Sequence, residues 1–87
     1  MSIVKIYTTM LCPFCYRAKA LLNQKNIEFE EIDVTFSPAK RKVMTDLAGG
    51  RTSVPQIFID ENAIGGCDDL YALEQMGKLD PLLTGGQ

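Results

Sequence analysis

No histidine and no tryptophan occur in these 87 residues, and cysteine occurs only three times. Without histidine, a single chain offers three good soft ligands, one short of a closed structural zinc site. An extracellular disulfide scaffold of this length carries a larger, even number of cysteines, so stapling is excluded as the organising device. Apolar stretches last only a few residues, far below the roughly 18–20 of a membrane-spanning helix. Nine basic against eleven acidic residues leave a net charge of −2, the wrong balance for a protein that coats nucleic acid. Met1-Ser2-Ile3-Val4-Lys5 lacks the basic and apolar regions of a secretory signal, which points to the cytoplasm.

What remains is ordinary globular usage, 46% hydrophobic and 23% charged, in a length that suits one domain over residues 1–87 with a modest core. No repeat, linker or low-complexity run interrupts it. Ile3 to Thr8 is a short β-branched strand, and Cys12-Pro13 opens a helix with proline at its first position. Ala18, Leu21 and Leu22 give that helix its apolar stripe, which fails at Asn23–Asn26. Ile27 to Val34 alternates, with Ile27 and Phe29 facing one way and Ile32 and Val34 the other. Ser37-Pro38 caps a second helix to about Ala48, with Val43, Met44, Leu47 and Ala48 as its buried stripe and Gly49-Gly50 as its end. Gln56–Ile59, a turn at Asp60-Glu61-Asn62 and Ala63-Ile64 form a hairpin. A helix over about Asp68–Met76 follows, with Leu70 and Leu73 inward, then a last helical turn at Asp80-Pro81 and a frayed Gly85-Gly86-Gln87 tail. The opening β-α-β requires a right-handed parallel crossover, and the hairpin adds an antiparallel pair. The economical result is a four-stranded mixed sheet with helices on both faces.

Chemistry concentrates in three segments. In Cys12-Pro13-Phe14-Cys15, the two-residue spacer returns the second thiol within one helical turn of the first. Cys12 at a helix N-terminus meets unpaired N–H groups and the positive end of the dipole, which favour the attacking thiolate. Arg17 and Lys19 follow one to two turns on. The expectation is an exposed, reactive Cys12 and a more buried, resolving Cys15. A lone C-x-x-C is also half a zinc knuckle, but no second pair is present, and its place between a first strand and first helix favours redox chemistry.

Ser53-Val54-Pro55 reads either as a plain strand start or as a cis proline that presents the Val54 backbone to an extended thiol peptide. Gly65-Gly66-Cys67-Asp68-Asp69 reads as a capped helix start with an acidic first turn, or as a cradle for a carboxylate with Asp68 or Asp69 receiving an ammonium. Cys67 reads as a small core residue, with a redox-modified thiol as the alternative.

Together the three segments resemble the glutaredoxin family across essentially the whole chain. Arg17-Ala18-Lys19-Ala20-Leu21-Leu22 and Val54-Pro55-Gln56-Ile57-Phe58-Ile59 look like its small bacterial dithiol members. The resemblance implies an α/β thioredoxin-like fold with three to four helices and a monomeric, glutathione-dependent oxidoreductase with no tightly bound cofactor. Cys12 would take glutathione from a glutathionylated protein, and a second glutathione would regenerate the thiolate. In a dithiol route Cys15 would resolve a mixed disulfide instead. Phe14 would wall the glutathione site, and the Val54 backbone beside Pro55 would pair with the glutathione cysteine. The amides of Cys67 and Asp68 would meet the γ-glutamyl carboxylate, with Asp68 near its ammonium. Arg51 or Lys42 would serve the glycine carboxylate. Two positions depart from the family pattern: Phe14 stands where tyrosine is commoner, and Thr9 where many members carry lysine. Two other functions fit the same residues. One is a carrier reduced directly by a flavin reductase, indifferent to glutathione; the other is an iron–sulfur dimer, which Pro13 disfavours.

Overall fold

A computed structural model of the chain describes residues 2–84. Four strands and four helices follow in the order β1 (Val4–Thr8), α1 (Pro13–Gln24), β2 (Glu30–Asp33), α2 (Pro38–Leu47), β3 (Gln56–Ile59), β4 (Asn62–Gly65), α3 (Cys67–Gln75) and α4 (Leu79–Leu83). The strands form one mixed sheet ordered β2-β1-β3-β4. β1 runs parallel to β2, with Lys5 opposite Glu30, and antiparallel to β3, with Tyr7 opposite Gln56. β3 and β4 pair through a two-residue loop, Asp60-Glu61, in which both residues take positive φ, 51° and 68°.

Strand alternation sends side chains to two faces, and each face has its own core. On one, Val4, Ile6, Ile57 and Ile59 pack against Ala18, Leu21 and Leu22 of α1, Leu70 of α3, and Leu79 and Leu83 of α4. On the other, Tyr7 and Phe58 meet edge to face and pack with Val34, Met44 and Ala48. Ile27 and Phe29 lie against the first cluster and Ile32 and Val34 in or against the second, as their alternation requires. No helix among the described residues is long and apolar enough to cross a membrane.

Several boundaries differ from the sequence reading. β2 is four residues long, because the Ile27 N–H bonds the Leu22 carbonyl and holds the start of the expected strand against the end of α1. Val43 and Leu47 are 51% and 58% exposed rather than buried. At about 100° per residue, Met44 and Ala48 share one line of the helix while Val43 and Leu47 sit to the same side of it. A single helix covers this face of a narrow sheet, so only the central line is buried. α3 begins one residue early, at Cys67, and β4 extends one residue beyond Ala63-Ile64 at each end. The last turn is a five-residue helix anchored by buried Leu79 and Leu83. The tail at Gly85-Gly86-Gln87 lies outside the described residues.

Candidate active site

Because β1 and β3 are antiparallel, the C-terminal end of β1 lies beside the N-terminal end of β3, and β4 returns to the same edge. Three loops therefore converge there: Thr9–Cys12, Ser53–Pro55 and Gly65-Gly66. The first is pinned where the Met10 N–H donates to Thr35 Oγ1 at 2.8 Å, and Leu11, just before the dithiol, takes a positive φ of 56°.

Cys12 is the N-cap of α1, with extended backbone and Pro13 at the first helical position. Its Sγ accepts from the Cys15 N–H at 3.4 Å, so a sulfur occupies the place a capping oxygen usually takes. The same thiol reaches the Val54 carbonyl at 3.9 Å. Cys12 is thus half-buried rather than fully exposed, and Cys15 is buried at 1% exposure. Burial pushes the Cys15 thiol up to about 12, with the hydrogen bond to Cys12 adding to the rise and a backbone hydrogen bond from Thr9 opposing it. Arg17 stacks on the Tyr71 ring at 5.2 Å, whereas Lys19 pairs with Glu31 at 2.9 Å over the Tyr16 ring. Both cations are thus held by partners other than the dithiol.

A groove of about 200 Å³ opens between Phe14, the Ser53-Val54-Pro55 segment and the start of α3; Cys12 does not line it, but its Sγ lies 3.9 Å from the carbonyl of Val54, which does. Phe14 is 49% exposed at its rim. The Val54–Pro55 peptide bond is cis. Arg51, Gly66, Cys67, Asp68 and Asp69 also line it. Cys67 is buried and belongs to the first core, and that burial pushes its thiol up. The two aspartates differ sharply. Asp69 accepts from the Gly66 N–H at 2.9 Å and from Arg51 Nη1 at 3.1 Å, and its carboxyl is held below the usual range chiefly by that Gly66 amide. Asp68 is exposed, with no side-chain hydrogen bond or ion pair among the described residues. Lys42 does not line the groove; it pairs along α2 with Asp46 at 3.2 Å.

Two groups that shape this edge were not singled out from the sequence. Arg41 Nη2 donates to the Thr52 carbonyl at 2.8 Å, tying α2 to the loop that carries Arg51. Buried Gln56 donates from Nε2 to the Ser53 carbonyl at 2.9 Å. An arginine in a surface helix and a glutamine at a strand start give no local signal of these contacts.

The chain matches the glutaredoxin family over residues 4–64. It is 57% identical to glutaredoxin 3 of Escherichia coli K12 across 83 residues, 95% of this chain and 99% of that one. A glutaredoxin from Brucella melitensis solved in solution superposes with a TM-score of 0.82 at 53% identity, covering 98% of this chain and 92% of the other. A buckwheat glutaredoxin crystallised with glutathione superposes with a TM-score of 0.88 at 28% identity, covering 97% and 78%. The sheet and its four helices are the thioredoxin-like fold of these neighbours.

Proposed function

This chain belongs to the glutaredoxin family, and from that premise we propose that it is a single-domain, glutathione-dependent thiol–disulfide oxidoreductase with Cys12 as its nucleophile. The observation that carries the reading is the placement of Cys12 Sγ. It caps α1, where helix N–H groups favour a thiolate, and it lies 3.9 Å from the carbonyl of Val54, one of the residues that line the groove.

In this reading the Cys12 thiolate attacks the glutathione sulfur of a protein–glutathione disulfide. A Cys12–glutathione disulfide forms, and the protein sulfur leaves as a thiolate. A second glutathione thiolate then attacks the glutathione sulfur on Cys12, giving oxidised glutathione and returning the Cys12 thiolate, so the net exchange converts the mixed disulfide and one free glutathione into the protein thiol and oxidised glutathione. In the dithiol route Cys15 attacks Cys12 of a mixed disulfide, and glutathione later reduces the Cys12–Cys15 bond. Burial raises the Cys15 thiol, so in the dithiol route the resolving attack requires that proton to be removed first.

In this reading glutathione is a co-substrate, and the buckwheat glutaredoxin crystallised with glutathione supports glutathione as the ligand. It lies with its cysteine beside Val54 and Pro55, against the exposed ring of Phe14. Its γ-glutamyl carboxylate lies at the amides of Cys67 and Asp68, which as first-turn donors lack intrahelical partners. Asp68 receives the ammonium, and Arg51 is the cation for the glycine carboxylate. The enzyme acts as a monomer in the cytoplasm, where thiols are kept reduced.

The test is glutathione-coupled reduction of a glutathione mixed disulfide by wild type, Cys12→Ser and Cys15→Ser. Loss of turnover in Cys12→Ser with turnover retained in Cys15→Ser is expected. A wild type inert with glutathione but reduced by a flavin thioredoxin reductase would replace this reading with that of a direct carrier.

A further inference from the structure

Arg51 stands on the loop between α2 and β3, which has no regular structure of its own. A long side chain on such a loop ordinarily samples many rotamers, and ordering it on binding costs affinity. Here its Nη1 is tied to Asp69 Oδ2 at 3.1 Å, and the same oxygen accepts the Gly66 N–H at 2.9 Å. One carboxylate oxygen thus links the arginine to the first turn of α3.

Both partners of the ion pair are about half exposed, at 50% and 47%, and exposed pairs contribute little to folding. The backbone nevertheless leaves room for this arrangement. A Cβ at Gly65 would fall 2.2 Å from Asp69 Oδ2 and 2.7 Å from Arg51 Nη1, and Gly65 also takes φ of 115°. Any larger residue would displace the pair.

We propose that Asp69 is a positioning residue that acts through Arg51, holding the guanidinium at the groove wall where it can meet the glycine carboxylate of the bound glutathione. The inference rests on the glutathione reading above and divides the labour of the adjacent acids. Asp69 is spent on the cap and the arginine, which leaves Asp68 open to the ligand. Only Nη1 is engaged by Asp69, so Nη2 and Nε keep donors for an incoming carboxylate.

The test is a double-mutant cycle on full-length protein, with KM for glutathione and kcat measured for wild type, Asp69→Asn, Arg51→Gln and the double variant. Asparagine keeps an acceptor for the Gly66 N–H but loses the charge that holds Arg51. Asp69→Asn is expected to raise KM about fivefold with kcat unchanged, an effect in the range by which contacting charged groups couple. In the Arg51→Gln background the same change should leave KM within about twofold, since the residue it acts through is gone. A KM rise of equal size in both backgrounds, or no rise in wild type, would overturn the inference. If Asp69→Asn fails to fold, Arg51→Gln alone decides: an unchanged KM refutes it. Failure of the underlying reading looks different, because then the wild type itself shows no saturable dependence on glutathione.

Discussion

Cys15 supplies the sharpest quantitative prediction. Its thiol is raised from 9.0 to about 12, with burial first among the causes, so the ionised fraction at neutral pH falls about a thousandfold relative to an ordinary cysteine. Intrinsic nucleophilicity rises with basicity at about 0.4–0.5 log units per pKa unit, which returns roughly a factor of twenty. The net expectation is a thiol about fiftyfold slower than a free one, before burial restricts access. The assay uses reduced wild type at pH 7 with substoichiometric iodoacetamide, so that each molecule reacts at most once, followed by peptide mass spectrometry. Label should fall on Cys12, with Cys15 at least fiftyfold slower than N-acetylcysteine under the same conditions. Labelling of Cys15 within fivefold of N-acetylcysteine, or a pH–rate midpoint below 10, would refute the reasoning. The sign extends to stability. The folded state keeps this proton where the unfolded chain has released it, so stability falls as pH rises from about 9 toward 12.

Two further outcomes are expected. Thr9→Lys adds a cation two residues after Tyr7 and three before Cys12; KM for glutathione should fall, and an unchanged KM would show that the missing lysine is immaterial. Glu61→Gly relieves a positive φ of 68° in the β3–β4 loop while keeping Asp60, whose Oδ1 accepts the Ile3 N–H; urea denaturation should show a gain of about 0.5–1 kcal/mol, and a loss would mean that the loop is not strained at Glu61.

The parts of the fold set by local rules could be read directly. Pro13 and Ser37-Pro38 mark helix starts, Gly49-Gly50 takes the positive φ that ends α2, and the strand alternation assigns faces correctly. The errors came from contacts that the apolar pattern does not encode. Whether Val43 and Leu47 are buried depends on how wide a face the sheet presents, which α2's own periodicity does not contain. The shortening of β2 depends on Ile27 bonding back to Leu22 rather than continuing a ladder. In sequence the resemblance offers Arg51, or else Lys42, as the cation for the glycine carboxylate. The fold separates them by giving Lys42 a partner on its own helix and Arg51 a partner on α3. Asp68 and Asp69 are likewise neighbours in sequence, yet only the third residue after the Gly66 cap can reach back to it.

That division shows how a small sheet can build a site without a deep core beneath it. Each functional segment begins on a loop, and loops alone are loosely held. Here each is tied to a residue in or near a strand or helix. Met10 is held by Thr35 after β2, Thr52 by Arg41 of α2, Ser53 by Gln56 of β3, and Gly66 by Asp69 of α3. All four ties gather at the edge where antiparallel β1 and β3 bring Cys12 to Val54. The opposite edge, where Val4 pairs with Ile59, carries the tight Asp60-Glu61 loop and none of the candidate chemistry. Substitutions that alter stability without touching KM should therefore collect at that edge, as Glu61→Gly is chosen to do. Those that alter KM at little cost in stability should collect among the four ties, because these bonds are partly exposed and fix geometry more than they hold the fold.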